Sequence, residues 1–417
     1  MAADGKDGAL LLKNAIIVGH STPRDILIQD GLITEIGDLK GRGLDVGGRL
    51  VTSGFVNIHT HLDKADLLSR MRPEEFGKSL EENRELLKSY KRNYTVPEIR
   101  ERAGRVIDGF VENGVTALRT QVDVDATGGL KPLEALVGLR DEGRLRMQVC
   151  AFPQQGVVDE KNRGMVEAAL ESGADLLGGL PLVEKTREEQ AQHIEVLFEL
   201  ARKYDVDLEV QVDESNNPED FMLPLLAQKT IEYGWVGRVS ATHCISLSAQ
   251  DDGVARETIK LMVEAGLNVI VTPSANLITQ FRVPEGVHPR PNNSITRVKE
   301  LLEAQVNVAL GTDNVRDIFY PLGNCSILRE MHVLAAATRM TRADDPANLF
   351  NMASANGARI MGLDYGVREG ALADLVVLNA GSLRGALNGA ANVPYVIGGG
   401  RLLCESKVEV KHGRRQG

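Results

Sequence analysis

The feature that most constrains the fold is a junction repeated through the middle of the chain. In it, an amphipathic helix is followed by a glycine turn and then by a short apolar strand, as at Gly114, Gly173 and Gly266. Glycine suits this place because the residue that ends a helix often adopts a left-handed conformation. Strands that alternate with helices pair in parallel through right-handed crossovers. Over residues 55–364 the repeat predicts a (β/α)8 TIM-type barrel, with an open doubly wound sheet as the alternative.

The two ends of the chain have a different texture. Residues 1–54 and 365–417 contain short apolar runs, such as 15–18 and 373–378, separated by turns rich in glycine and aspartate. Two β-rich flanks around an alternating centre predict a small β-sandwich domain formed from both termini. The expected fold class is therefore α/β, a barrel with an accessory sandwich.

Charge and cysteine content exclude several classes of function. Asp and Glu number 58 against 48 Lys and Arg, a net charge of -10, which argues against a nucleic-acid or anionic-membrane partner. The basic residues Lys411, Arg414 and Arg415 are interpreted as a solvated tail. The chain has no apolar run near the ~20 residues that a membrane span requires. The four cysteines form no CxxC pair, which predicts reduced thiols, a cytoplasmic location and no thiolate metal site.

Polar side chains follow four of the predicted barrel strands. His59 and His61 end one strand, Gln211 and Glu214 follow the next such strand, and His243 and Asp313 end two more. In a barrel the C-terminal ends of the strands share one rim, where the chemistry of the fold is carried out. Residues i and i+2 of a strand face the same side, so both histidines can reach one ion. Nitrogen and carboxylate ligands without thiolate suit one Zn²⁺ or Fe²⁺.

This combination of residues is suited to hydrolysis. Attack on an amidine or amide carbon at neutral pH needs hydroxide, and a divalent cation can lower the pKa of a bound water to ~7. A carboxylate must then carry protons between that water and the substrate nitrogen. Glu214 is the candidate for this role.

A set of motifs resembles the cytosine deaminase branch of the amidohydrolase superfamily and is similar to the N-isopropylammelide aminohydrolases. The resemblance covers nearly the whole chain. Its motifs are HTHLDK (59–64), RTQVDVD (119–125), AFPQQG (151–156), VQVDES (210–215), ATHC (241–244) and GTDNVRDIFYPLGN (311–324).

The resemblance implies a role for each matching residue. His59 and His61 would bind one metal ion. Asp313 would bind the metal or its water and accept the water's proton. Glu214 would protonate the ring nitrogen, and His243 would polarise the attacked group or hold the hydroxide. The resemblance also implies a mononuclear site, in agreement with the absence of lysine from residues 176–179.

Three further positions are assigned to the substrate on the same basis. Gln154 matches the residue that reads the ring amide edge in the deaminases. Asn314 stands where cytosine deaminases carry a second aspartate, and Phe319 stands at a position that is usually tryptophan. These two changes argue against cytosine itself as the substrate. Asn276 and Arg282 are further candidates for substrate contact.

The larger departure is Gln211, which replaces a histidine ligand, as Gln121 replaces the histidine of the RTHVDVD motif. A glutamine oxygen is a harder and weaker donor than imidazole, which lowers the affinity expected for zinc. Gln211 can ligate through oxygen or leave its place to water or His243. The alternatives are a metal site of altered chemistry, or loss of the metal and a binding protein without turnover.

The predicted function is hydrolytic deamination of a small nitrogen heterocycle, a cytosine-like pyrimidine or a triazine. In it, metal-bound hydroxide attacks the amine-bearing ring carbon. The alternatives are a cyclic amide hydrolase that uses the same site and a non-catalytic ligand-binding relative. The expected partner is a small-molecule substrate, and a homo-oligomer is possible. Asp63 and Lys64 are predicted to form a plain ion pair at the start of a loop, as surface pairs commonly do.

Overall fold

The computed structural model describes residues 9–75, 80–278 and 293–409. The basic tail at 411–415 and Arg282 lie outside the described residues. The strands in chain order are β1 Leu10–Ala15, β2 Arg24–Gln29, β3 Leu32–Gly37, β4 Leu44–Asp45, β5 Leu50–Ser53, β6 Phe55–Thr60, β7 Val115–Asp123, β8 Arg146–Phe152, β9 Leu176–Gly179, β10 Leu208–Val212, β11 Val239–His243, β12 Asn268–Val271, β13 Asn307–Leu310, β14 Leu375–Leu378, β15 Tyr395–Gly398 and β16 Arg401–Glu405. The α-helices are α1 Leu80–Lys91, α2 Val96–Glu112, α3 Lys131–Asp141, α4 Glu160–Glu171, α5 Arg187–Tyr204, α6 Leu223–Glu232, α7 Ser246–Ala249, α8 Asp252–Glu264, α9 Pro273–Ile278, α10 Val298–Glu303, α11 Ile327–Thr338, α12 Asp345–Met352, α13 Ala355–Ile360 and α14 Leu383–Asn388. Short 3-10 helices lie at Leu67–Arg70, Pro73–Glu75 and Pro181–Val183.

The centre of the chain is a parallel sheet of eight strands, β6 to β13 in sequence order. The first and last strands meet just beyond β13, where the amide of Asp313 donates to the carbonyl oxygen of His59 at 2.9 Å. The hydroxyl of Thr60 donates to the carbonyl oxygen of Asp313 at 2.8 Å. The predicted TIM-type barrel is confirmed, and its closure brings two candidate metal ligands together.

The helix ends follow the local rules on which the prediction depended. Gly114, Gly173 and Gly266 all have positive φ angles, of 89°, 102° and 58°, as the end of a helix before a strand requires. Helix α5 begins with a capping box in which Thr186 and Glu189 satisfy each other's backbone amides. The alternation of helices and strands is therefore encoded locally.

Both termini contribute to two further four-stranded sheets, in the orders β3-β2-β1-β4 and β16-β15-β14-β5. Their inner faces share one apolar core that includes Ile26, Val51, Leu375 and Ile397, all nearly fully buried. This two-sheet unit adjoins the barrel at β5, which pairs with β14 and is separated from β6 of the barrel by Gly54 alone. The limits of the predicted sandwich domain, residues 1–54 and 365–417, remain a prediction.

The predictions about cysteines and membrane spans can also be compared with the structure. Cys150, Cys244 and Cys325 are buried, Cys404 is partly buried, and all four are free thiols. Among the described residues, no helix combines the length and apolar character that crossing a membrane requires.

Candidate metal centre

The predicted ligand side chains converge at the C-terminal rim of the barrel. His59 and His61 project from β6, Gln211 from β10 and Asp313 from the residues just after β13. All four are nearly or fully buried. The closure of β6 against β13 explains why residues more than 250 positions apart in the chain share one site.

The distances between these side chains suit the ligand shell of one metal ion. Asp313 Oδ1 lies 3.5 Å from His59 Nε2 and 3.3 Å from His61 Nε2. The side-chain amide of Gln211 lies 3.5 Å and 3.3 Å from the same two nitrogens. Tetrahedral ligands at about 2.1 Å from a Zn²⁺ ion stand about 3.4 Å apart. The donor set therefore fits a divalent cation, with residue 211 at one vertex.

The amide of Gln211 points its nitrogen at the two histidines. Amide nitrogen and oxygen exchange places when the group turns by half a rotation, and a metal ion accepts only the oxygen. Gln211 can therefore present Oε1 to an ion at this place once its amide has turned. Gln121 is the other glutamine that replaces a histidine, and neither of its side-chain polar atoms has a hydrogen-bond partner among the described residues.

The histidines and carboxylates of the site differ in protonation state because their charged neighbours differ. Burial works against ionisation of Asp313, yet hydrogen bonds from His59 and His61 hold its pKa well below the usual range. The pKa of His59 is raised to about 9, because contacts with Asp313 and Glu209 outweigh its burial. Burial, with a contribution from the Lys64 charge, lowers the pKa of His61 to about 4. Asp313 is thus an anion at neutral pH, as a metal ligand must be.

Glu214 lies beside this cluster, near the start of the loop after β10. Burial raises its pKa to about 8, the charge of Asp313 adds to the rise, and the charge of Arg84 opposes it. Its Oε1 lies 3.9 Å from His243 Nε2. A carboxyl group that keeps its proton near neutral pH can act as a general acid.

His243 ends β11 with a positive φ of 72°, an uncommon conformation for this residue type and one that recurs at functional sites. Its Nδ1 accepts a hydrogen bond from the Asn276 amide at 3.0 Å and lies 3.1 Å from the hydroxyl of Thr272. Burial lowers its pKa to about 3, so the ring is neutral. A neutral ring that accepts at Nδ1 carries its proton on Nε2. That N–H is buried and has no partner among the described residues.

The prediction of a plain surface pair between Asp63 and Lys64 is wrong about its setting. Both side chains are buried. The ammonium of Lys64 lies 2.8 Å from Asp123 Oδ1, 3.6 Å from Asp63 Oδ1 and 3.0 Å from His61 Nδ1. Lys91 of α1 adds a second buried ammonium, 2.5 Å from Asp123 and 2.6 Å from Asp125. Two buried ammonium groups are therefore paired with the three carboxylates beside His61.

The residues assigned to the substrate lie around the same rim. Asn314 is buried and donates to Asp317 Oδ2 at 2.6 Å. Asp317 also accepts from the backbone amides of Phe319 and Tyr320, at 2.9 and 3.0 Å. Gln154 is half-buried in the loop after β8. Gln154 follows β8 and Asn314 follows β13, so both lie at the C-terminal rim, and contact with a substrate remains a prediction.

Three functional candidates escaped sequence reasoning. Glu209 lies on β10 with its Oε1 2.5 Å from His59 Nδ1, and Arg119 contacts its other oxygen. Arg84 lies on α1, where its Nε is buried without a partner among the described residues. A charged residue inside an apolar strand, as in LEVQV, is the signal that could have identified Glu209, since a buried charge needs a partner.

The chain is similar in sequence to known amidohydrolases and deaminases. A family profile described as the amidohydrolase family matches residues 79–403. The chain is 30% identical over 422 residues to the N-isopropylammelide isopropyl amidohydrolase of Pseudomonas sp. strain ADP, an alignment that covers 97% of this chain and 99% of the relative. It is 28% identical over 367 residues to a pterin deaminase of Rhizobium rhizogenes, covering 85% of this chain and 82% of that protein.

The fold also matches a solved structure. The 5-methylcytosine deaminase of Klebsiella pneumoniae, liganded with 5-fluorocytosine, superposes with a TM-score of 0.89 at 28% sequence identity. The match covers 97% of this chain and 99% of that one. The similarity therefore includes both the barrel and the sheets built from the termini.

Proposed function

The chain belongs to the amidohydrolase family and is an enzyme of that family, and from this premise we propose that it is a metal-dependent deaminase of a small nitrogen heterocycle. The proposed substrate is a cytosine-like pyrimidine or a triazine that carries an exocyclic amine. The relatives are named for an ammelide, a pterin and 5-methylcytosine. In each of these ring systems, a carbon is bonded both to a ring nitrogen and to an exocyclic nitrogen or oxygen. Hydrolysis at such a carbon is the reaction proposed for the site.

The observation that carries the proposal is the placement of a protonatable carboxyl beside a cluster of four converging ligand groups. His59, His61, Gln211 and Asp313 would hold one Zn²⁺ or Fe²⁺ ion, with Gln211 contributing its oxygen. When bound, such an ion supplies Lewis acidity and lowers the pKa of water to ~7.

Glu214 would deliver a proton to the substrate. Its pKa of about 8, raised by burial, leaves the carboxyl protonated at neutral pH. Protonation of a ring nitrogen makes the adjacent carbon more electrophilic, and the same carboxylate can then move a proton to the leaving amine.

Asp313 and His243 would act on the attacking water and on the oxygen that it supplies. Asp313 is held as a carboxylate and can accept the proton of the attacking water. His243 offers the unpartnered Nε2–H described above to the oxygen that becomes attached to the ring carbon. A preorganised donor at that point stabilises charge that develops during attack.

Substrate selection would fall to the rim residues. Gln154 would read the amide edge of the ring through its own amide. Asn314 and Phe319 would replace the carboxylate and the larger aromatic ring found in cytosine deaminases. A neutral amide next to the attacked carbon favours a substrate other than cytosine itself.

The test combines a substrate screen with one conservative variant. Purified protein loaded with Zn²⁺ or Fe²⁺ is assayed for ammonia release from cytosine, 5-methylcytosine, pterin and aminotriazines. We expect Glu214→Gln to lose at least about 100-fold in kcat on the best substrate, since general acid catalysis contributes 10²–10⁴-fold, with metal content unchanged.

Glu219→Gln is the matched control, because Glu219 lies five residues further along the same loop and is exposed. It should retain wild-type turnover. Near-wild-type activity of Glu214→Gln would contradict the proton-transfer role. Ring opening without ammonia would point instead to a cyclic amide hydrolase, and a protein that retains no added metal would contradict the proposal as a whole.

A further inference from the structure

We propose that Glu209 and Arg119 are positioning residues that fix the ring of His59 and direct its Nε2 lone pair to the ligand cluster. The inference rests on the proposed function in one respect only, namely that His59 binds a metal ion. The contacts that support it are buried inside the barrel, on the Nδ1 side of the His59 ring.

Glu209 is fully buried on β10, and both of its oxygens are engaged. Oε1 lies 2.5 Å from His59 Nδ1 and accepts from the hydroxyl of Thr242 at 3.2 Å. Oε2 accepts from Arg119 Nη1 at 2.9 Å. The carboxylate is therefore held from three sides and cannot turn away from the imidazole.

Arg119 is buried on β7 and is itself held along its length. Its Nε and Nη2 both donate to Gln148 Oε1, at 3.0 and 2.8 Å. Nη2 also donates to the carbonyl oxygen of Ile360 at 3.4 Å. A planar guanidinium fixed in this way presents Nη1 to Glu209 in one orientation.

The chemical consequence concerns the tautomer of His59. An ionised carboxylate can only accept hydrogen bonds, so Nδ1 must carry the proton. A histidine that binds a metal ion must be neutral, and its unprotonated nitrogen is then Nε2, the atom that faces Asp313 and Gln211. A carboxylate behind a ligating histidine also increases its basicity, and such partners typically change metal affinity 10–100-fold when removed.

Stability alone does not explain the pair. Buried ion pairs can often be replaced by apolar side chains of similar volume without loss of stability, because desolvation offsets their attraction. Here the pair connects β7, the neighbour of the strand that carries His59, with β10 across the barrel, and places its charge against a candidate ligand. Its position relative to the site is the feature that a purely structural role leaves unexplained.

The experiment measures metal affinity and one proton resonance, neither of which depends on turnover. Zn²⁺ affinity is determined by chelator competition for the wild type, Glu209→Gln and Arg119→Lys. We expect Glu209→Gln to weaken Zn²⁺ binding 10–100-fold. Arg119→Lys keeps the charge but loses the fork, so we expect a smaller weakening. If either variant folds poorly, as judged by circular dichroism and thermal unfolding, the other still tests the pair.

The matched control is a second carboxylate–imidazole contact in the same protein. Glu184 Oε1 lies 2.8 Å from Nδ1 of the buried His193, away from the ligand cluster. Glu184→Gln should leave Zn²⁺ affinity unchanged. In ¹⁵N-histidine spectra of the metal-free wild type, we expect the Nδ1–H of His59 to give a low-field signal protected from exchange. That signal should be lost in Glu209→Gln and retained in Glu184→Gln.

Wild-type Zn²⁺ affinity in a folded Glu209→Gln would overturn the inference, as would an Nδ1–H signal of His59 that is insensitive to this change. These outcomes are separable from failure of the proposed function. If the wild type binds Zn²⁺ but deaminates no heterocycle, the affinity series still decides the positioning role. If it binds no metal, the resonance decides it.

Discussion

Replacement of Gly311 by alanine tests whether the contact between β6 and β13 holds the candidate metal ligands in place. Gly311 lies between β13 and Asp313, and a Cβ added there would stand 2.7 Å from both the Cβ and the carbonyl oxygen of His59 and 2.9 Å from its backbone nitrogen. These distances are about 0.7 Å short of an ordinary van der Waals contact. The clash is with backbone, which cannot turn aside as a flexible side chain can.

The magnitude follows from this geometry. Overpacking a core typically costs about 1–3 kcal/mol, and a clash with the backbone of a barrel strand belongs at the upper end of that range. With an unfolding entropy of about 2.1 cal/mol/K per residue, a loss of about 3 kcal/mol lowers the Tm of a chain of this size by about 3 °C. Because site geometry must hold to within about 0.5 Å, we also expect metal affinity to fall at least about tenfold.

Calorimetry and chelator competition would measure the two effects, with Gly164→Ala as the control. Gly164 lies in the exposed face of α4, with open space around an added Cβ. Alanine there should stabilise the protein by about 0.5–1 kcal/mol, because glycine is the poorer helix former. A Gly311→Ala variant with wild-type Tm and metal affinity would refute the reasoning that strand contact sets the ligand geometry.

Three further predictions follow from the site and its surroundings. Gln211→His should raise Zn²⁺ affinity at least about tenfold, since imidazole is the stronger zinc donor. Gln121→His is the control and should leave the affinity unchanged, because the side chain of Gln121 makes no hydrogen bond to the two histidines. Equal Zn²⁺ affinities of the wild type and Gln211→His in chelator competition would show that residue 211 is not a ligand. The charge of Arg84 opposes the rise that burial causes in the pKa of Glu214. Arg84→Gln should therefore raise this pKa further and move the alkaline limb of the kcat/KM profile to higher pH. An alkaline limb that stays in place or moves to lower pH would contradict the role of Glu214 as the general acid. Burial raises the pKa of Glu330 to about 7, so the folded state holds a proton that the unfolded state releases near pH 4.3; this stability is present at low pH and is lost as pH rises towards 7. Thermal unfolding from pH 5 to 8 should show a weaker pH dependence in Glu330→Gln, and an unchanged slope would contradict it.

The residues that the chain contributes to the rim were predictable because the relevant signals are local. An apolar run, a glycine at a helix end and a polar residue after a strand are read within about ten positions. Parallel strands then bring His59, His61, Gln211, Glu214 and Asp313 to one end of the barrel, whatever the details of packing. The architecture and the side chains that meet at the rim were accordingly predictable from the sequence, whereas Glu209, Arg119 and Arg84 were not.

Tertiary structure decided what each of these side chains faces. From the sequence, Glu209 is a strand residue, yet in the fold it contacts His59, 150 positions away in the chain. Lys64 was predicted to belong to a surface ion pair, yet it is a buried ammonium group beside His61. Likewise, only the folded barrel places the Gln211 amide at the distance of a ligand from both histidines. The physical reason is that strand periodicity determines which face a residue occupies, whereas its partner depends on the register of strands distant in sequence and on where buried charge can be compensated.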